Sequence, residues 1–298
     1  MAQTQVYAGV GGYYGNKDQR GLAGVFRRAA DGESWSHVLG ELEAFTVCVH
    51  PRDSNLVFAG TADGVYRSAD AGKTFRRADF PDSRVQIWSF LPDAAGGTRM
   101  LAGGSPVSVY RSDDDGATWR RAPDLHLPLH AKMPFDCRIM RFAPHPRRAG
   151  EIYAVLEVSG VMRSTDGGES WSDCSADLLR LADAEPRLRS KLVSDTEAEG
   201  MLDGHAVCTS AAAPDAVIIA VRMGLSAATI RAAPGRTCGS IGSRRSPTAA
   251  TSRSRRRTRA RCMPASRWPP RPKTVRSIAA LTSAKPGSAS TRCSRTAR

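Results

Sequence analysis

The chain has 298 residues, 6% of them aromatic, and a formal charge of +14. That charge is uneven: residues 224–298 hold eighteen of the 43 Arg and Lys and no Asp or Glu, so residues 1–223 are slightly acidic. No stretch approaches the roughly 20 apolar residues of a membrane-spanning helix. Cys48, Cys137, Cys174 and Cys208 have neither the CxxC spacing of a zinc site nor the density of a disulfide scaffold, and they read as reduced thiols.

The opening MAQTQVYAGVGG lacks a basic region ahead of an apolar core, so it does not read as a secretory signal, and a cytoplasmic, membrane-free protein is expected. Tyr13 and Tyr14, in GGYYGN, are placed to line a central face. The phrase GVFRRAADGESW from Gly24 to Trp35 is the first, weakest copy of a repeat, with Ala30 where later copies have Asp. The unit then returns in full. An apolar run (LVFAGT, Leu56 to Thr61), a Gly turn and a second run lead to RSADAGKTF; MLAGGS (Met100 to Ser105) leads to RSDDDGATW; IYAVLE (Ile152 to Glu157) leads to RSTDGGESW. The phrases VHPRDSN and APHPRRAGE have the Pro and small polar residues of a turn leading into a strand. Two strands cannot bury a core alone, so units recurring at about 40 to 50 residues must stack their faces, which predicts an all-β propeller of four-stranded blades.

Three phrases match S-x-D-x-G-x-[TS]-[WF] fully: Ser68, Asp70, Gly72 and Phe75; Ser112, Asp114, Gly116 and Trp119; Ser164, Asp166, Gly168 and Trp171. This pattern resembles the Asp-box, or BNR repeat, of sialidases, sortilin-type receptors, photosystem II assembly factors and bacterial propellers. The resemblance implies a turn between the third and fourth strands of a blade, away from the ligand-binding face. Chemistry gives the same residues a structural role: Asp and Ser or Thr satisfy backbone N–H groups of a tight turn, Gly supplies a left-handed position, and the aromatic covers the turn. The Arg-Ile-Pro phrase of sialidases does not occur, so no catalytic residue is carried over. Residues 1–225 are expected to form about four to five blades of a propeller that is incomplete.

After VIIAVRMGL, which ends at Leu225, another box is due, yet the chain continues SAATIRAAPGRT. Codons for FRSDDPGRTW that lose one nucleotide read as Ser226 to Gly235 as written, and in the same frame the stretch from Ser277 hides LHRSSDVGETWKRFDT. Two hidden boxes in one frame make residues 226–298 a frameshifted, disordered basic tail. If that tail is genuine, its Arg253, Arg255, Arg256 and Arg257 suit nucleic acid.

Two insertions interrupt the repeat. Residues 124–138 bring His126, His130, Asp136 and Arg138 into one connection, read as a ligand-facing rim; Pro128 opposes the helix in which two His four apart would bind a metal. The insertion after Trp171 sets Leu178, Leu179, Leu181 and Leu188 on one or two short helices and crowds Asp195, Glu197, Glu199, Asp203 and His205 before a strand, a pattern compatible with general acid and base work. No metal or cofactor is implied. The expected function is a binding or interaction scaffold for a protein or glycan ligand; the alternative is a sialidase-like glycoside hydrolase with Asp195, Glu197, Glu199 or His205 in catalysis.

Overall fold

A computed structural model describes residues 4–11, 23–93, 96–123, 125–229 and 278–283. Tyr13 and Tyr14 lie outside them. The described residues are mostly strands: β1 (Gln5–Val10), β2 (Gly24–Ala29) and β3 (Ser36–Gly40); β4 (Ala44–Val49), β5 (Val57–Thr61), β6 (Gly64–Ser68) and β7 (Arg76–Arg77); β8 (Gln86–Pro92), β9 (Met100–Ser105), β10 (Ser108–Ser112) and β11 (Arg120–Arg121). Then come β12 (Ile139–Pro144), β13 (Ile152–Leu156), β14 (Gly160–Ser164) and β15 (Ser172–Asp173), followed by β16 (Gly204–Ser210), β17 (Ala213–Val221), β18 (Gly224–Thr229) and β19 (Ile278–Ser283). Each group is an antiparallel meander. The sheets run β19-β1-β2-β3, β4-β5-β6-β7, β8-β9-β10-β11, β12-β13-β14-β15 and β16-β17-β18. Two stretches therefore depart from the expected disorder after Leu225: β18 runs on to Thr229, and β19 pairs with β1. The remainder of 226–298 lies outside the described residues.

Successive sheets touch along their first strands, β4 against β8, β8 against β12 and β12 against β16, with β1 and β19 against β4. This is a propeller-like arrangement, and its core is divided accordingly. Val25 and Tyr7 meet Val47 and Val57 between the first two sheets; Phe58 and Val65 meet Ile87 and Met100 between the next two. Leu101 and Val109 meet Ile152 and Met162, and Tyr153 and Val155 meet Val217 and Ile219. Middle strands are covered by a sheet on each side, which is why VFAGT and IYAVL are buried at every position instead of alternating.

The three repeated turns lie between third and fourth strands. Ser68 Oγ accepts the Gly72 N–H at 2.8 Å; Asp70 Oδ1 accepts the N–H groups of Lys73 (3.0 Å) and Thr74 (2.9 Å), and its Oδ2 accepts the Thr74 hydroxyl at 2.8 Å. Ser112 with Asp114 and Ser164 with Asp166 repeat the set. Gly116 has φ 73°, and a Cβ there would sit 2.3 Å from the Phe58 ring of the preceding sheet, so each turn is also where one sheet docks on the last. The first copy differs in two ways, in its residues and in having no earlier sheet among the described residues to dock on. With Arg28 and Ala30 in place of Ser and Asp, Trp35 is 43% exposed, against 6% for Trp119 and 9% for Trp171.

The second insertion forms α1 (Ala176–Ala184), a 3-10 turn at Pro186–Leu188 and α2 (Glu199–Leu202). Leu178 is buried between α1 and the fourth sheet, and Leu179, Leu181 and Leu188 pack partly against the same cluster, as their spacing implied. No helix among the described residues is long and apolar enough to cross a membrane.

Candidate functional site

Each first strand of the second to fifth sheets contains a one-residue bulge at the same place. Ala44 pairs with Thr61 and Thr46 with Gly60, leaving Phe45 extra; Trp88, Met140 and His205 are extra in β8, β12 and β16. A bulge re-aims a side chain out of the ladder. Two residues before each extra residue stands a polar one: Glu43, Gln86, Arg138 and Asp203. The recurrence needs close approach between sheets, and glycine permits it, since a Cβ on Gly60 would lie 2.5 Å from the Ile87 carbonyl oxygen.

These residues meet across sheets. Phe45 stacks on Trp88 with ring centroids 4.2 Å apart, and Trp88 Nε1 donates to Gln86 Oε1 at 3.0 Å. The Arg138 guanidinium lies 4.0 Å from the centre of the Trp88 ring and is paired with Glu157. Burial raises the Glu157 carboxyl, against the pull of Arg138, and His205 of β16 and Asp203 just ahead of that strand act on it as well. His205 Nε2 is 3.5 Å from Asp203 Oδ2. The chain thus gathers a cation held on an aromatic face, a buried carboxyl paired with that cation and an imidazole beside a carboxylate.

Of the expected acid–base residues, Glu199, Asp203 and His205 are linked, with Arg222 Nη1 3.0 Å from Glu199 Oε1 and 3.7 Å from Asp203 Oδ2, while Asp195 and Glu197 stand apart. Glu199 is 1% exposed; its Oε2 accepts the N–H groups of Leu192 (2.8 Å), Val193 (3.0 Å) and Ser194 (2.9 Å) and the Ser194 hydroxyl (2.8 Å), while Oε1 accepts from Arg222 at 3.0 Å. Burial alone would raise its carboxyl, but these donors outweigh it and hold it down to about 2. Asp195 is exposed and accepts the Lys132 N–H at 2.8 Å, tying the two insertions together; Glu197 is exposed. The rim set also divides. His130 pairs with Asp173 at 3.0 Å, Arg138 turns to Trp88, and only His126 and Asp136 face a cavity of about 550 Å³ walled by the first insertion. Leu129 and Phe135 line it and are exposed, as is Lys132.

Trp88, Phe45 and Glu157 escaped the sequence reading, although the recurring polar-x-large triplet ahead of each apolar run marks the first two. Among the described residues no group of three or more His, Cys, Asp or Glu is placed to hold a metal ion.

No protein-family model matches the chain. No curated protein matches it in sequence. Among solved structures it is similar to an ancestral GH74 enzyme (19% identity, TM-score 0.51, covering 75% of this chain and 31% of that one). It is also similar to the GH74 xyloglucanase from Xanthomonas campestris (13% identity, TM-score 0.50, 72% and 35%) and to YCF48 from Cyanidioschyzon merolae (17% identity, TM-score 0.42, 68% and 57%). The chain spans about a third of the length of the GH74 enzymes. At these identities the GH74 likeness is one of fold, and it places the chain among propeller-like all-β structures.

Proposed function

We propose that the chain is an Asp-box β-propeller serving as a binding scaffold, and that the insertion at residues 124–138 receives a protein or glycan ligand. The observation that carries this reading is the cavity of about 550 Å³, whose wall sets Leu129 and Phe135 beside His126, Lys132 and Asp136. Apolar surface with a few polar groups is the usual make-up of a ligand pocket. The three turns support the Asp-box identification, since Asp70, Asp114 and Asp166 make equivalent bonds. The test is a binding panel of oligosaccharides and peptides on the full chain: Phe135→Ala is expected to weaken a binder roughly tenfold without lowering the melting temperature. A panel with no binder, or a variant that binds as the parent does, overturns the reading.

One feature favours glycoside hydrolysis as a second reading: Glu157, its carboxyl raised, with Asp203 and His205 beside it. Burial moves the Glu157 carboxyl in the direction a general acid needs, whereas the donors around Glu199 move its carboxyl the other way. Turnover of fluorogenic glycosides that Glu157→Gln abolishes would establish it, and a panel without turnover would retire it. In both readings we take residues 226–298 to be an out-of-frame continuation in place of further propeller, on the two hidden boxes that the shifted frame restores.

A further inference from the structure

Equivalent residues of the three turns fall in successive clefts between sheets, and one cleft supplies a control for another. Between the third and fourth sheets, Arg111 and Arg120 converge on Glu169, which the turn of the fourth sheet sends back across the cleft; Arg120 Nη2 to Glu169 Oε1 is 2.6 Å. Arg111 also grips Asp113, with Nε to Oδ1 at 2.9 Å and Nη2 to Oδ1 at 2.7 Å. Two carboxylates of the chain thus occupy the space in front of two guanidinium groups.

One sheet earlier the arginines remain and the carboxylates are gone. Arg67 stands at the place of Arg111, Arg76 at that of Arg120, Ala69 at that of Asp113 and Ala117 at that of Glu169. All four line one cavity of about 450 Å³ between the second and third sheets. Among the described residues neither Arg67 nor Arg76 makes an ion pair; Arg67 Nε donates to the Asp115 carbonyl at 3.4 Å. The third equivalent, Arg163, is again satisfied, by Glu151 at 3.1 Å. Of the other charges on the wall, Arg77 pairs with Asp63 at 3.3 Å, and Asp70, whose two oxygens are directed to its own turn, and Asp79 are the carboxylates that stand beside the two arginines.

We propose that this cleft is an anion site that takes a ligand with two carboxylates, set apart as Asp113 and Glu169 are in the neighbouring cleft. Guanidinium forks match carboxylates in geometry as well as charge. The ligand is a short free dicarboxylate or the paired acidic side chains of a peptide. This cavity shares no residue with the one at 124–138, so either proposal can fail without the other.

The experiment is calorimetric titration of the full chain with succinate, glutarate and a peptide bearing two adjacent Glu, with sulfate as the competing anion. Saturable binding of the free diacids assigns a small ligand, and binding of the peptide alone assigns acidic side chains; either supports the site. Ala117→Glu, at an exposed position, supplies the carboxylate that Glu169 provides next door. It is expected to lower affinity roughly tenfold or more while leaving the melting temperature unchanged or raised, and Arg67→Gln with Arg76→Gln to lower affinity as far. Absence of saturable binding, sulfate binding as tight as the diacids, or equal binding by Ala117→Glu overturns the proposal.

Discussion

Asp114 shows how one side chain can organise a turn. Its carboxylate collects the N–H groups of Ala117 (3.1 Å) and Thr118 (2.9 Å) and the Thr118 hydroxyl (2.7 Å), and the bonds are charge-assisted. Asp114→Ala is expected to destabilise by about 1–3 kcal/mol in urea unfolding, and Trp119, which covers this turn, to become more exposed. Glu199 makes the same point for the second insertion and adds a pH dependence. Its folded value near 2 lies below its ordinary 4.5, so its contribution is complete above 4.5 and is lost as pH falls through the folded value. Glu199→Gln should cost about 3 kcal/mol at neutral pH, through the loss of a buried charge partner for Arg222. In melting temperature against pH, the parent should fall more steeply than the variant between 4.5 and 2; parallel curves would contradict this. The Asp turns were legible in the sequence because they act within a few residues, whereas Glu199 reads there as an acid–base candidate and its cap on residues 192–194 shows only in the fold.

At the scale of the element, the strands and α1 were legible for a related reason: short apolar runs bounded by Gly and Pro turns and the leucine spacing are local signals. Leu178→Ala, at a fully buried position between α1 and the fourth sheet, is expected to cost about 2–5 kcal/mol by denaturant unfolding. The bulges were not legible. A bulge is a relation between two strands, so Phe45, Trp88, Met140 and His205 become special only when their partners are known. The same holds for Glu157, which ends one apolar run and gains meaning from Arg138 before the neighbouring strand and from Asp203, just ahead of the next sheet. His126, His130, Asp136 and Arg138 were grouped by closeness in the chain, but an extended connection sends its side chains to different neighbours: Asp173, the cavity and Trp88.

For the whole molecule, the divided core makes stability a sum over neighbouring sheets, so its weakest places are its ends. One end is the first sheet, where β19 pairs with β1, Val10 opposite Ile278 and Val6 opposite Ser283. The other is the fifth sheet, whose β18 crosses from Leu225 into the segment we assign to a shifted frame. The two ends make opposed demands on residues 226–298. If the written residues belong to the native protein, ending the chain after Thr229 bares the edge of β1 and should lower the melting temperature. If the frame was lost after Leu225, adding one nucleotide there replaces Ser226 onward with FRSDDPGRTW, a third-strand end and box turn like those of the three preceding sheets. We expect the second outcome: the frame-restored chain should melt cooperatively and higher by about 4 °C or more, and the written chain and its truncation should melt alike. Circular dichroism melts of the three chains decide it. A written chain that melts with the restored one and well above the truncation would make β19 a native strand and residues 226–298 a genuine part of the fold.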